Sequence, residues 1–347
     1  RYTMSDTDSE TEALAVVVHA GAGWQYQDDK VLRTRVRKLL RRVVKKAQIA
    51  IDQQCEWGHP LERSFLEAAS VVEKDELTNT ACGSFPRNDG SVRCDSCMYV
   101  VNTDSKVVEC GAVVCNSSGR PIEDAWEVVV DQRHKNRQGN GVVSPIVTVG
   151  RPWDDDTRWL LTKRMEKTYK EVKEYGSVDS VGPTDTVGVI VADPVTGRMY
   201  VGSSSGGGLM CSSRRVGCAG VLGAACWAGL DGSASVGVTA SGQGEAIIKA
   251  GLARRVGEAV LGLYEEEEPV IIAKNVLALL AFEHSIHEQD VVMAVMGVIV
   301  RDGYATQFYA ATGPGAFPVA SSLSRVSGVV CGGAANSSGI RCGQWEL

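Results

Sequence analysis

The chain has 347 residues, 44% of them hydrophobic, which is enough to bury a large core in one large domain or two smaller ones. Its net charge of −6 argues against a surface built for nucleic acid, and no apolar run reaches the roughly 18 to 20 residues of a membrane span. The 11 cysteines favour reduced thiols over a disulfide framework, and residues 1–13 lack the apolar core of a signal peptide. We therefore expect a cytoplasmic or nuclear protein that binds neither membranes nor nucleic acid.

The first predicted elements follow a flexible tail at residues 1–12. The segment "ALAVVVHAGAG", residues 13–23, predicts a buried strand that runs into a glycine turn. Residues 28–52 predict a helix, because their apolar residues recur at helical spacing. The other face of this helix carries nine lysines and arginines between residues 30 and 46. This pattern indicates a solvated face or, alternatively, a patch for polyanions or nuclear import.

The middle of the chain is predicted to be richer in strands. We expect short strands within residues 98–103, 107–115 and 142–149. Residues 151–180 predict a polar helical segment that fades into a linker rich in serine, glycine and proline. Residues 186–193 and 196–208 then predict the two strands of a hairpin, joined by a Pro-x-x-Gly turn.

The last third of the chain predicts helices followed by strands. We expect helices at residues 217–229, 244–268 and 268–282, of which the second is long and amphipathic and the third is buried. Strands are predicted within residues 291–303, 304–313 and 325–333. The order of sheet, helices and sheet predicts a layered α+β architecture with antiparallel strand pairs.

Three stretches together resemble one enzyme superfamily. They are "VVVHAGAG" (16–23), "TDTVGVIVAD" (184–193) and the run from "SSSGG" through "RRVG" to "SGQGEAIIKAGLARR" (203–255). In this order they resemble the N-terminal-nucleophile threonine hydrolases, which include plant-type asparaginases, isoaspartyl peptidases, glycosylasparaginases and the threonine aspartases, or taspases.

The resemblance implies a fold and a maturation step. The fold is a four-layer αββα sandwich, here a single domain over residues 13–347. The precursor of such an enzyme cuts itself immediately before a threonine that matches Thr186. Cleavage of the Asp185–Thr186 bond would give an α chain of residues 1–185 and a β chain of residues 186–347. The two would stay together as an αβ heterodimer, which could pair further to (αβ)2.

The resemblance also implies catalytic residues. An N-terminal Thr186 would carry a hydroxyl nucleophile and an α-amine, with an unperturbed pKa of about 7.7–8, that can act as its base. Without the neighbouring motifs, Thr186 would be an ordinary β-branched strand residue. Ser205 matches a second hydroxyl that orients the nucleophile, and Ser241 with Gly242 matches the pair that stabilises the oxyanion. Asn79 matches an asparagine that approaches the nucleophile; alternatively it is a turn residue.

Arg215 matches the arginine that binds the substrate carboxylate, a task suited to its planar guanidinium. Its neighbour Arg214 is the rival for this role, and Lys30 is a candidate for a second positive charge.

Two residues favour one branch of the superfamily. In asparaginases and isoaspartyl peptidases, an aspartate that follows "RVG" pairs with the free α-amine of the substrate, but here Cys218 follows. The residue before the predicted cut is Asp185, whereas asparaginases usually cut after glycine. The sequence therefore resembles a taspase, an endopeptidase that cleaves protein substrates after aspartate. The alternatives are an isoaspartyl peptidase or asparaginase in which another group replaces the missing aspartate, and a non-catalytic binding relative.

Few residues suggest a cofactor. Cys94 and Cys97 form a single CxxC pair without nearby histidines, and His284 with His287 fits an exposed helix end better than a metal site. We expect no cofactor, although the resemblance implies that a structural sodium ion can bind backbone carbonyls.

Overall fold

In a computed structural model, the described part of the chain forms a layered α+β fold with two sheets. The described residues are 14–22, 29–52, 59–138, 146–150, 157–176, 186–263, 267–283, 292–312, 317–322, 329–330 and 340–346. The predicted tail, the linker up to Asp185, and both His284 and His287 lie outside these ranges.

The larger sheet has eight strands, which are β1 (Ala15–His19), β2 (Cys94–Asn102), β3 (Val107–Asn116), β4 (Val147–Val149), β5 (Val187–Ala192), β6 (Met199–Ser205), β11 (Phe317–Ser321) and β12 (Val329–Val330). Their order in the sheet is β12-β11-β1-β5-β6-β2-β3-β4. All neighbours are antiparallel except β3 and β4, which are parallel. The predicted hairpin is confirmed, because β5 and β6 pair in antiparallel register.

The smaller sheet has five strands, which are β7 (Cys226–Asp231), β8 (Ala234–Gly242), β9 (Met293–Arg301), β10 (Tyr304–Ala311) and β13 (Arg341–Glu346). They are antiparallel and lie in the order β13-β10-β9-β8-β7. The helices are α1 (Lys30–Asp52), α2 (Pro60–Glu73), α3 (Pro121–Gln138), α4 (Lys163–Tyr175), α5 (Gly244–Ala250), α6 (Leu252–Leu261) and α7 (Pro269–Glu283).

Three apolar interfaces hold the layers together. One lies between the larger sheet and helices α1 to α3, one between the two sheets, and one between the smaller sheet and helices α5 to α7. Because side chains alternate along a strand, β5 serves two of these interfaces. Its valines, such as Val189, face the helices, while Ile190 and Ala192 face the other sheet. The four-layer αββα sandwich is therefore confirmed.

Helix α1 bears out the predicted amphipathic pattern. The apolar residues of its inner face, such as Val36 and Val43, are buried, whereas eight of its nine basic residues are exposed and one is half-buried. Arg35 and Arg42 form ion pairs with Glu76 and Asp75 after α2. The basic residues thus form a solvated helix face. None of the helices in the described part of the chain is long and apolar enough to cross a bilayer.

The helix predicted at residues 217–229 is wrong. Only Cys218–Gly220 form a single 3₁₀ turn, and the chain then enters β7, which pairs with β8. Glycines disfavour a helix here, and Gly223 adopts a left-handed φ of 82° that a helix cannot accommodate. A short apolar run fits a helix or a strand equally well, and the pairing with β8 decides for the strand.

The long helix predicted at residues 244–268 is two helices. Gly251 adopts a left-handed φ of 56°, ends α5 and precedes α6, as glycine commonly does at the end of a helix. The third predicted helix, α7, is buried on one face only, because Ile271 and Leu279 are about half exposed (46% and 49%).

Candidate active site

The space between the two sheets becomes polar at one end. Farther along β5 and β6 the residues facing this space are apolar, such as Ile190 and Val201, but at this end the facing residues are small or polar. These residues are His19, Asp95, Gly188, Ser203, Ser205, Thr239 and Ser241. A cavity of about 370 Å³ opens beside them.

Thr186 lies in the wall of this cavity, immediately before β5, and is 3% exposed. Strand pairing places Val187 opposite Ser204, so the next residues outward, Thr186 and Ser205, lie opposite each other. The Thr186 hydroxyl is 3.6 Å from the sulfur of Cys218. Asp185, the residue before the predicted cut, lies outside the described residues.

The two partners predicted beside the nucleophile differ in position. Ser205 lines the cavity, and its hydroxyl accepts a hydrogen bond from the Gly207 N–H at 3.1 Å. Asn79 is fully buried; its amide donates to the Gly207 carbonyl at 2.8 Å and accepts from the Phe85 N–H at 3.1 Å. Asn79 thus stabilises the loop that follows Ser205.

The predicted oxyanion pair lies at the end of β8. The Ser241 hydroxyl accepts a hydrogen bond from the Ala22 N–H at 3.0 Å, which leaves its own hydrogen for donation. The glycine turn after β1 is therefore part of this site. Gly242 has a φ of 131°, and a Cβ there would lie 2.0 Å from the Val292 carbonyl oxygen, so only glycine fits.

Arg215, not Arg214, reaches the cavity. Arg214 is exposed, whereas Arg215 is half-buried and lines the wall. Its guanidinium forms an ion pair with Glu245, whose Oε1 lies 2.9 Å from both Nε and NH2. Partial burial alone would raise the pKa of Glu245, but the hydrogen bond from Arg215 lowers it below its ordinary value. Lys30 is exposed at the first residue of α1 and is not among the described residues that line the cavity.

The close packing behind Thr186 was not predicted from the sequence. A Cβ at Gly188 would lie 2.2 Å from His19 Nε2 and 2.6 Å from Thr239 Oγ1. Within the described residues, neither of these two buried atoms has a hydrogen-bond partner. His19 Nδ1 accepts from the Gly21 N–H, which puts the ring hydrogen on Nε2. Burial lowers the pKa of His19 to about 3, so the ring is neutral at physiological pH.

Other residues of the cavity also escaped prediction. Phe85, Leu209, Gln243 and Glu245 line it; Gln243 and Glu245 belong to the motif "SGQGE", whereas no motif contains Phe85 or Leu209. Arg215 and Glu245 are the charged residues among the described ones in the lining. The site therefore presents hydroxyls on two neighbouring strands, a serine and glycine at a strand end, and one guanidinium paired with Glu245. This arrangement can support acyl transfer from a substrate that carries a carboxylate.

A metal centre finds little support in the described residues. They contain no group of three or more His, Cys, Asp or Glu side chains arranged to hold an ion. The structural sodium ion stays a prediction, and no catalytic step below uses it.

Comparison with known protein families adds one finding. The model of a family described as "Asparaginase" matches residues 12–300 of the chain, which include every residue of the site described above.

Proposed function

The chain belongs to the asparaginase family, and on that premise we propose that it is a self-processing, threonine-type endopeptidase of the taspase type. One observation carries the proposal: Thr186 shares a cavity with Arg215, and its hydroxyl lies 3.6 Å from the thiol of Cys218. The cavity thus offers a cation that can bind an aspartate side chain. The group beside the nucleophile is a thiol and not a carboxylate.

The proposed mechanism begins with cleavage of the Asp185–Thr186 bond, which frees the α-amine of Thr186. The amine accepts the proton of the Thr186 hydroxyl. The hydroxyl oxygen then attacks the backbone carbonyl carbon of a substrate aspartate. The Ser241 hydroxyl and the Gly242 backbone stabilise the oxyanion. The protonated amine gives its proton to the leaving amine, and water then hydrolyses the ester.

Arg215 is proposed to hold the aspartate side chain. Glu245 Oε1 lies 2.9 Å from both Nε and NH2, and a Cβ at Gly207 would lie 3.0 Å from the NH1 nitrogen. One edge of the guanidinium is thus fixed by Glu245 while the other faces glycine-lined space. A carboxylate can bind such an edge through two parallel hydrogen bonds.

Cys218 favours an endopeptidase over an asparaginase. An amino acid or β-aspartyl substrate brings a free ammonium group, which requires a carboxylate beside it. A protein substrate continues as an amide at the same place and needs no ion pair. A cysteine beside the nucleophile is compatible with a protein substrate. It offers no carboxylate to pair with the ammonium group of an amino acid or a β-aspartyl substrate.

Glu245 supports the alternative function. It lines the same cavity, and its side chain is 62% exposed, so an ammonium group could approach its second oxygen. In that case the chain would hydrolyse asparagine or β-aspartyl amides, with Glu245 in place of the missing aspartate.

The test compares products and termini. We expect intact mass and N-terminal sequencing of the purified protein to show a new chain that begins at Thr186. We expect a blocked peptide with one internal aspartate to be cut after it, faster than the same peptide with asparagine. Thr186→Ala should stay one polypeptide without activity. Arg215→Met should abolish the preference for aspartate, whereas Arg214→Met, its exposed neighbour, should keep it.

Three outcomes would contradict the proposal. Release of ammonia from asparagine, without cleavage of the blocked peptide, would establish the alternative instead. Cleavage at full rate by an unprocessed chain would exclude an N-terminal nucleophile. A chain that stays uncut and inactive after long incubation would indicate a non-catalytic binding protein.

A further inference from the structure

The segment that carries Arg215 is held by a buried arginine from a distant part of the chain. Residues 212–217 form neither a helix nor a strand. Arg87 is 1% exposed, and its guanidinium donates to the carbonyl oxygens of Arg215 at 2.7 Å, Ser213 at 3.0 Å and Arg93 at 3.2 Å. Two of these bonds fix the backbone on which Arg215 stands.

Asp95 holds the other end of the same segment. It is 1% exposed and accepts hydrogen bonds from the Gly217 N–H at 2.6 Å and the Cys115 N–H at 2.8 Å. Its carboxylate lies 3.8 Å from the Arg87 guanidinium, so the two form a buried ion pair. Gly217 directly precedes Cys218, and its position therefore determines where the thiol meets Thr186.

Backbone hydrogen bonds reinforce these contacts. The Asn88 N–H donates to the Cys211 carbonyl at 2.9 Å, and the Met210 N–H donates to the Pro86 carbonyl at 3.0 Å. Residues 86–95 thus hold residues 210–217 at several points, although more than 100 positions separate them in sequence.

We propose that Arg87 and Asp95 are positioning residues that determine the preference for aspartate by holding Arg215 and Cys218 toward Thr186. The inference rests on the proposed function. Recognition of a carboxylate by a guanidinium depends on the position and angle of both groups, and a displacement of about 1 Å is enough to weaken it. A buried ion pair is seldom a net source of stability, so a role in placing the loop accounts for it better. If the chain is cut before Thr186, both residues belong to one product and the segment they hold to the other.

Asp95→Asn tests the inference with little change in volume. One of the two N–H donors, that of Gly217 or of Cys115, must then face the NH₂ group of asparagine. We expect kcat/KM for the blocked aspartate peptide to fall about ten- to hundredfold, as for the loss of a hydrogen bond to a charged group. The asparagine peptide, which does not use Arg215 in this way, should change little. Asp302→Asn, in an exposed turn, is the matched control and should behave as wild type.

Equal losses on both peptides would overturn the inference, because they would indicate general destabilisation. No loss on either peptide would overturn it as well. Arg87→Lys keeps the charge but cannot reach several carbonyls at once, and it provides the same comparison if Asp95→Asn does not fold.

Hydrogen exchange separates this inference from the proposed function. In Asp95→Asn, amides of residues 212–217 should exchange faster than in wild type, whereas Asp302→Asn should leave them unchanged. If the wild type shows no preference for aspartate, the proposed function fails, but the exchange rates still decide whether Asp95 holds the segment. Unchanged exchange would refute the role of Asp95 even in an active enzyme.

Discussion

Replacing Cys218 with aspartate is the sharpest test of how this cavity selects its substrate. The thiol lies 3.6 Å from the Thr186 hydroxyl, and a Cβ at Gly244 would still be 3.8 Å from its sulfur. A carboxylate of similar size can therefore take its place. It would stand where a free ammonium group of a substrate could meet it, within the cavity that also contains Arg215.

The expected gain follows from one charge-assisted hydrogen bond. Such a bond to a charged partner contributes about 1.5–3 kcal/mol, and each 1.4 kcal/mol corresponds to about a factor of ten. We therefore expect Cys218→Asp to raise kcat/KM for a β-aspartyl dipeptide about ten- to hundredfold relative to its N-acetylated form. The new carboxylate also stabilises the protonated amine of Thr186, so the pH at which activity appears should move upward.

The assay compares two substrates in three proteins. The free and the N-acetylated β-aspartyl dipeptide are each hydrolysed by wild type, Cys218→Asp and Cys218→Asn, at several pH values. Asparagine has the size of aspartate without its charge, so it reports the effect of the new side chain alone. N-terminal sequencing confirms that each variant is processed before its rates are compared.

The ratio of kcat/KM for the free dipeptide to kcat/KM for its N-acetylated form should be higher in Cys218→Asp than in Cys218→Asn. Equal ratios in the two variants would refute the reasoning. They would mean that the ammonium group does not approach position 218. If the wild type already prefers the free dipeptide by a large factor, another carboxylate performs this role, and Glu245→Gln should then abolish the preference.

Three further predictions concern stability. Gly188→Ala should lower the free energy of unfolding by about 1–3 kcal/mol in denaturant titrations, because its Cβ would lie 2.2 Å from His19 Nε2. Gly208→Ala, with nothing within 4 Å of its Cβ, should stay within about 0.5 kcal/mol of wild type. Burial lowers the pKa of His19 from 6.5 to about 3, so the unfolded chain takes up a proton first as the pH falls. About 2 kcal/mol of the free energy of unfolding should therefore be lost by pH 5, and His19→Gln should reduce this loss when the free energy of unfolding is measured against pH. Burial raises the pKa of Glu73 well above 4.5, so the unfolded chain releases its proton first and stability should fall as the pH rises above 4.5; Glu73→Gln should remove that loss.

Helix α1 could be predicted from the period of its own apolar residues, whereas strand β7, which has no such period, could not. Helix α1 repeats its apolar residues over 23 positions, and this pattern alone defines the buried face. The segment 217–229 contains small apolar residues and glycines without a period. Its strand β7 exists because β8 offers hydrogen bonds along its edge, which is information from outside the segment.

The site shows the same division. The order of three motifs was enough to predict that Thr186, Ser205 and Arg215 come together, and all three line one cavity. The contacts that hold them were not predictable. Arg87 bonds to the carbonyl of Arg215 across 128 residues, and such a pair leaves no periodic signal in a single sequence. The roles of these residues in catalysis remain predictions.

The position of Thr186 in the larger sheet explains how a cut chain could keep its nucleophile in place. A new N-terminus is ordinarily mobile, because nothing holds its first residues. Here the residues after Thr186 form β5, which pairs with β1 on one side and β6 on the other. The first of these partners precedes the predicted cut and the second follows it. Cleavage would therefore free the amine without freeing the strand, so the base and the nucleophile would need no further ordering before they act.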